Sequence, residues 1–459
     1  MASWRGCCKW CEWLILLCLI PVLLLNIPPV AHEANLLRFN KMESKAAYFG
    51  IMIPMYLSYM VQCTKPLIAE GQIAWLTCVK EKMAFEMVDV FGYEQGVAPM
   101  YNFRGEIGPV AFSHAAFKAV TYDPRARRSP HHLSQCNTST TWPSGVDRML
   151  VNFDTGHPDW AARRSLMVDA LPALALDGTG HGLPAVVPAG VRAQDGANKR
   201  NVNDVVGATI FKFLFDVDVT AELGQMFEWD GIIGPCIVTQ QVPAASSIAR
   251  MAEIRNNIYK KVSVSKAGQE YMALAMQRGM EGEIRLQDLM WIVLFAAYGG
   301  TSNLVHNILA HLLKDPVQQV VLFRYDSTAY ILEGARLFPA VGGMNPWLTS
   351  QALPLKLPDG RTIEVPEGTY GGSLINGANL DPSVFQAPTS AFQPGRPEAE
   401  RMLTFLNELG DIRKCPGAST AGCPAAPRPC PGTWLALRVA RATVAFFAEG
   451  AAAQGKSDL

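Results

Sequence analysis

The chain has 459 residues, of which 49% are apolar and 17% charged, with no formal net charge. That composition excludes a disordered polypeptide, and the scattered Lys and Arg give a nucleic-acid partner no electrostatic support. At this length the chain is either two domains or one large helical domain.

Residues 13–30 form an apolar run of about 18 residues, long enough to cross a bilayer, preceded by Arg5 and Lys9 and interrupted by Pro21 and Asn26. This reads as a single-pass signal anchor in preference to a cleaved secretory signal, because no convincing small-residue cleavage site follows. A second uncharged stretch, residues 46–64, lies between Lys45 and Lys65. It reads as an apolar helix lying on the bilayer, with a second span as the alternative. The chain holds 11 cysteines, crowded at Cys7, Cys8, Cys11 and Cys18 and again at Cys415, Cys423 and Cys430. Such clustering fits a reducing cytosolic face better than paired disulfides, and an odd count leaves at least one thiol free.

Beyond the apolar segments, residues 75–90 are helical in composition. A short strand is expected at 108–112, followed by a helix capped by Ser113, and a polar, Pro-rich loop at 129–145. Residues 160–171 should form a helix that stops at Pro172. Residues 176–198, rich in Gly, Ala and Pro, read as an exposed insertion. Helices dominate from 203 to 337, among them a long apolar one at 286–314 with Gly299 and Gly300 inside it. From 347 to 372 the pattern becomes short strands and turns, with Pro358-Asp359-Gly360 a turn and Gly371-Gly372-Ser373 another. Pro and Gly punctuate 381–432, and a final apolar helix begins near Thr433. The architecture expected is mainly α with one small, late β-region.

The late loop carries the clearest chemistry. Arg428-Pro429-Cys430-Pro431-Gly432 precedes Leu435, Ala436, Val439, Ala440 and Val444, an apolar face at helical spacing. A sulfur just ahead of a helix N-terminus is held as thiolate by free amides and the positive end of the dipole. The same R-x-C-x-G pattern occurs at Arg413-Lys414-Cys415-Pro416-Gly417. Cys415 is followed by a poor helix and Cys430 by a good one, which favours Cys430. A structural zinc loop built on Cys415, Cys423 and Cys430 is the rival, but it lacks a Cys-x-x-Cys knuckle and a nearby His.

Upstream, Glu333 and Arg336 are three apart and share a helix face. Tyr330, Ile331, Leu332, Leu337 and Phe338 bracket them, so the pair is expected to be buried. A buried pair needs a further partner, which Arg396 of Phe392-Gln393-Pro394-Gly395-Arg396 would supply.

Taken in order, E-x-x-R, then Asp381-Pro382-Ser383-Val384-Phe385-Gln386-Ala387-Pro388 leading to Arg396, then Arg428-Pro429-Cys430-Pro431-Gly432, resemble the signature of the cytochrome P-450 superfamily. The resemblance runs from about Phe103 to the end. It implies a mainly α, helical heme fold with a small β-region: an anchor at 1–32, an apolar membrane-associated linker at 33–70 and a heme-thiolate catalytic domain at 71–459. It also implies heme b, with iron held by Cys430, and a structural triad of Glu333, Arg336 and Arg396. Trp160-Ala161-Ala162-Arg163-Arg164 is similar to the family's W-x-x-x-R helix, so Trp160, Arg164 and Arg428 would contact the heme and Gly432 would let the backbone approach it.

The long helix departs from the family pattern A/G-G-x-acid-T-T, reading Ala297-Tyr298-Gly299-Gly300-Thr301-Ser302. Thr301 matches, and with Gly300 it is expected to line the oxygen side. The acid position holds Gly300, and no carboxylate lies between Met290 and Leu313. A carboxylate relay on this helix is absent, which would slow the splitting of O₂. Tyr298-Gly299-Gly300 is similar to the allene oxide synthase and hydroperoxide lyase branch. Residues 75–82 and 122–127 faintly resemble the prostacyclin synthase and sterol hydroxylase branch. The plainer explanation of the two glycines is a helix kink.

These readings imply an endoplasmic-reticulum-anchored heme enzyme with a cytosolic catalytic domain, acting on a hydrophobic, lipid-like substrate. As a monooxygenase it would draw electrons from an NADPH-dependent reductase. As a lyase or isomerase rearranging fatty acid hydroperoxides or endoperoxides it would need no reductase. A third expectation is a non-catalytic membrane protein that binds heme or a partner. His131, His132, His306 and His311 lack metal-site spacing and read as core or surface residues.

Overall fold

Local chemistry sets the first elements. The Ser113 hydroxyl accepts the Ala116 N–H and starts α1 (His114–Thr121) directly after β2 (Ile107–Ala111), itself the hairpin partner of β1 (Val97–Tyr101). The computed structural model describes residues 93, 96–101, 107–128, 158–171, 174, 183–239, 243–341, 344–414 and 430–457. The expected anchor and linker (1–70), the helix at 75–90 and the loop at 129–145 lie outside them, as do His131 and His132. Among the described residues no helix is long and apolar enough to cross a membrane.

After β3 (Ala126–Arg128) comes a run of helices: α2 (Pro158–Ala170), α3 (Lys199–Phe215), α4 (Leu223–Thr239), α5 (Ala245–Ser263), α6 (Lys266–Gln277) and α7 (Gly282–Ile292). Asn198 caps α3 by accepting the Arg200 and Asn201 amides, and Ser265 caps α6 by accepting that of Gly268. The long apolar helix expected at 286–314 starts earlier, with α7. It passes through a π-helical stretch, Val293–Gly300, and continues as α8 (Thr301–Leu312). The expected kink at the glycines is thus an overwide turn, of the kind often found at functional sites. Next are α9 (Pro316–Tyr325), α10 (Ser327–Leu337), the short helices α11 (Ile375–Asn379) and α12 (Leu409–Lys414), and finally α13 (Thr433–Ser457). The main core lies where α3, α4, α8 and α13 meet, around Val205, Trp229, Leu294, Leu304 and Val444.

The β-region is less confined to the end of the chain than expected. β7 (Tyr370–Leu374) pairs in parallel with early β2 and antiparallel with β4 (Met344–Thr349), which pairs with β3, giving the order β1-β2-β7-β4-β3. β5 (Leu353–Lys356) and β6 (Thr362–Val365) form a separate hairpin across the expected turn, where Gly360 has φ +85°. Gly371-Gly372-Ser373 is not a turn but the middle of β7, buried throughout. A Cβ at Gly371 would collide with the Trp347 ring and lie 2.7 Å from the Pro109 carbonyl oxygen. The insertion expected to be exposed at 176–198 is exposed or half-buried over most of its described residues, 183–198, with Pro188 and Gly196 buried. Its Ala193-Gln194 backbone packs so closely on Gly450 of α13 that a side chain there would collide with it. Cys236 of α4 is disulfide-bonded, against the expectation of reduced thiols.

Gly371→Ala should lower stability by about 1–3 kcal/mol, the usual penalty of forcing atoms into a packed site. A fall in the denaturant midpoint with an unchanged slope would show it.

Candidate functional site

Cys430 is fixed by its backbone before its sulfur is considered. Its N–H donates to the Phe405 carbonyl at 3.1 Å. Its own carbonyl accepts the Thr433 N–H at 3.3 Å and the Thr433 hydroxyl at 2.7 Å. Thr433 opens α13, so the sulfur lies at the positive end of a 25-residue helix. Cys430 is the free cysteine among the described residues, and it is half-buried. Burial pushes its thiol up, while the Gly432 amide, the Arg164 guanidinium and the Thr433 hydroxyl favour the thiolate. A Cβ on Gly432 would meet only the Cys430 sulfur, at an ordinary 3.9 Å, so protein packing alone does not require glycine there.

Arg164 reaches this sulfur from α2. It is 6% exposed and sits 5.3 Å over the Trp160 ring. Burial pulls its guanidinium down to about 10, and Cys430 is the charge that opposes the shift. The structure therefore brings Trp160, Arg164 and Cys430 into one neighbourhood. Arg428, Cys415 and Cys423 lie outside the described residues.

The charged triad is the best-defined group. Glu333, Arg336 and Arg396 are 1%, 0% and 6% exposed. Arg336 makes a bidentate pair with Glu333 at 2.7 and 2.8 Å, and Arg396 donates to the same carboxylate at 3.4 Å. The Gln393 N–H adds a donor at 3.0 Å. The arginines spend their remaining N–H groups on the carbonyls of Asn379, Thr389, Gln386, Pro388 and Ala391. Two residues the sequence reading missed complete the frame. Asn379, fully buried, donates to the Arg336 carbonyl and accepts the Leu403 N–H, and Thr404 donates to the Ala335 carbonyl. The segment that follows, through Phe405, is the one that holds Cys430.

On the central helix Thr301 is 2% exposed, and a Cβ at Gly300 would meet nothing within 4 Å, so that position faces open space. Tyr298 turns away, fully buried against Gly207 of α3 and beside Asn203, and burial pushes its hydroxyl far above the usual tyrosine range. Gly299 faces α4, where the Asp230 Oδ1 lies 2.8 Å from the place of a Cβ. No local pattern in the sequence marks Asp230 as a neighbour of this helix. His311 stacks on Phe392 at 4.3 Å and Phe338 at 5.0 Å, a packing role.

Neither a family model nor a curated protein matches the chain. Solved structures do. Cytochrome P-450 MoxA from Nonomuraea recticatena aligns with a TM-score of 0.54 at 14% identity, over 79% of this chain and 86% of that one. The thermophilic cytochrome P-450 from Sulfolobus tokodaii gives 0.55 at 13%, over 79% and 90%. P-450 BioI, solved with an acyl carrier protein ligated to hexadec-9Z-enoic acid, gives 0.56 at 18%, over 80% and 91%. The fold is that of the cytochromes P-450.

Within this cytochrome P-450 fold the sequence-expected triad forms as a unit, and Cys430 stands at the head of the last long helix. Heme fits the residues present: a free thiol at a helix N-terminus, a buried arginine beside it and open space over Gly300.

Arg336→Met removes the bidentate partner of the buried Glu333 carboxylate, leaving it Arg396 at 3.4 Å and the Gln393 amide, and should destabilise by about 3–5 kcal/mol, the range for breaking a buried pair by removing one partner. Denaturant unfolding of the variant measures it, and Glu333→Gln, which keeps the shape and removes the charge, should be milder.

Proposed function

We propose that this chain is a heme-dependent oxidoreductase of the monooxygenase type, with iron held by Cys430, acting on a hydrophobic, lipid-like substrate. The observation that carries the reading is the free Cys430 thiol, clamped between Phe405 and Thr433 at the start of α13. When bound, the heme supplies the oxygen chemistry, and a thiolate is the strong electron donor that favours O–O cleavage. The protein's part is to hold and orient. The Gly432 amide, the Thr433 hydroxyl and the helix dipole favour the thiolate against the burial that pushes the thiol up. Arg164, stacked on Trp160, would meet a propionate, with Arg428 as its expected companion. Glu333, Arg336 and Arg396 keep the Phe405 segment and the Cys430 loop in register. Gly300, with open space beside it, would leave room for the ring, and Thr301 would hold a proton on the oxygen side.

Support for a lipid-like substrate comes from the apolar composition and from one structural relative whose partner carries a fatty acyl chain. The segment at 1–32 would tether the domain of 71–459 to a membrane, with 33–70 lying on it. Gly300 in place of an acid favours a second reading, the reductase-independent rearrangement of fatty acid hydroperoxides.

The carbon monoxide difference spectrum of the reduced protein should show the red-shifted band of thiolate ligation, lost in Cys430→Ser and kept in Cys415→Ser. A band that survives Cys430→Ser refutes the assignment. Turnover of a fatty acid hydroperoxide without reductase would select the second reading, and dependence on NADPH plus reductase the first.

A further inference from the structure

The turn that seats Cys430 is strained. Phe405, whose carbonyl accepts the Cys430 N–H, is followed by Leu406 with φ +70°, a left-handed conformation that costs any residue with a Cβ. Such a conformation persists only where its surroundings over-determine it. Within the turn the Leu406 N–H reaches the Leu403 carbonyl at 2.9 Å. Further support comes from α1, 287 residues away in the chain.

His114, 2% exposed at the first position of α1, spans the turn with one nitrogen. Its Nε2 lies 2.9 Å from the Arg401 carbonyl and 3.3 Å from the Glu408 Oε1. A carbonyl can only accept, so that nitrogen carries the proton and donates. Arg401 lies before Phe405 and Glu408 after it, so the imidazole clasps the two ends of the turn. Other residues of the same helix steady the Glu408 end. Lys118 approaches the carboxylate at 3.1 Å, and the Tyr122 hydroxyl accepts the Glu408 N–H at 3.0 Å while donating to Asp411 at 3.1 Å. His114 is itself anchored from the other side. Its backbone N–H donates to Asp381 at 2.8 Å, and Phe385 packs edge-on at 6.3 Å. Among the charges that face the ring, Glu408 favours the imidazolium, whereas Arg401 and Lys118 oppose it. Burial is the largest influence, and it holds His114 below its ordinary value of 6.5.

We infer that His114 is a positioning residue for the iron ligand: by joining Arg401 to Glu408 it keeps the Phe405–Leu406 turn in the strained shape whose carbonyl seats Cys430. The inference rests on the reading above that Cys430 holds heme iron. No bond of the reaction is made or broken at His114, which acts through Phe405 and the Cys430 backbone. The neutral ring is the working form. Because the folded pKa is depressed, the contribution of the clasp is complete above pH 6.5 and is lost as pH falls from there toward the folded value.

The test uses the full-length, heme-loaded chain with two variants. His114→Ala keeps the backbone N–H to Asp381, and His114→Gln offers an amide donor of similar reach that does not ionise. The Cys430 amide stands between Pro429 and Pro431, which carry no N–H, so its hydrogen exchange is read cleanly. In the Ala variant it should exchange roughly two- to ten-fold faster, the span set by the net worth of one hydrogen bond, with exchange in α8 unchanged. The red-shifted carbon monoxide band of the reduced protein should shrink in parallel, and Gln should restore both. As pH falls below 6.5 the wild type should lose the band and the Gln variant should keep it. Unchanged Cys430 exchange and an unchanged band in the Ala variant overturn the inference. Faster exchange across α8 as well shows a general loss of stability and overturns it too, as does an acid profile shared by the wild type and Gln. A wild type without the red-shifted band refutes the heme reading instead, and the Cys430 exchange rates still decide whether the clasp exists.

Discussion

The Glu333 carboxylate is the point on which the interior depends. It is buried with two arginines, and an ion of either sign in that setting is tolerated only when every lone pair and N–H finds a partner. Arg336 and Arg396 satisfy Glu333, and their remaining donors seize five backbone carbonyls between Asn379 and Ala391. Those carbonyls belong to a stretch that is poor in regular secondary structure and could not order itself by ladder bonds. The charge network therefore does for this stretch what a sheet does elsewhere. Asn379 and Thr404 extend it to Leu403, two residues before Phe405, whose carbonyl holds the cysteine. The position of the sulfur is thus inherited from a salt bridge on a different helix.

Much of this was legible in the residues. Glu333 and Arg336, three apart and flanked by apolar neighbours, could hardly be a solvated pair, and Cys430 precedes the better of two helices. Ser113 and the Pro358-Asp359-Gly360 turn are local devices, and they form as local chemistry dictates. What stayed hidden was relational. Asp230 sits in a largely apolar helix, two residues after Glu228, and its closeness to Gly299 shows only across the interface. Asn379 and Thr404 are unremarkable polar residues until Arg336 lies between them. Gly371 and Gly372 looked like a turn because paired glycines usually are one, whereas here the missing side chain makes room for Trp347. The π-helical stretch is invisible to composition, since α and π turns favour the same residues.

The central helix shows how one residue type can serve three purposes in a few ångströms. Gly207 of α3 leaves room for the Tyr298 ring, which would stand 3.1 Å from a Cβ there, Gly299 leaves room for the Asp230 carboxylate, and Gly300 opens onto space. A helix that carries glycines side by side loses backbone entropy and packing on folding. Burial of Trp229, Trp291 and Tyr298 around the same turn offsets that loss.

The parallel pairing of β2 with β7 has a consequence for biosynthesis. Val110 and Ala111 find their partners, Gly372 and Ser373, only after every helix from α1 to α10 has left the ribosome. Until then the β1–β2 hairpin offers an open, apolar edge, the kind of surface on which nascent chains aggregate or recruit chaperones. Sheet closure is therefore a late event in the life of the polypeptide, and the last helix, with its cysteine, is made later still.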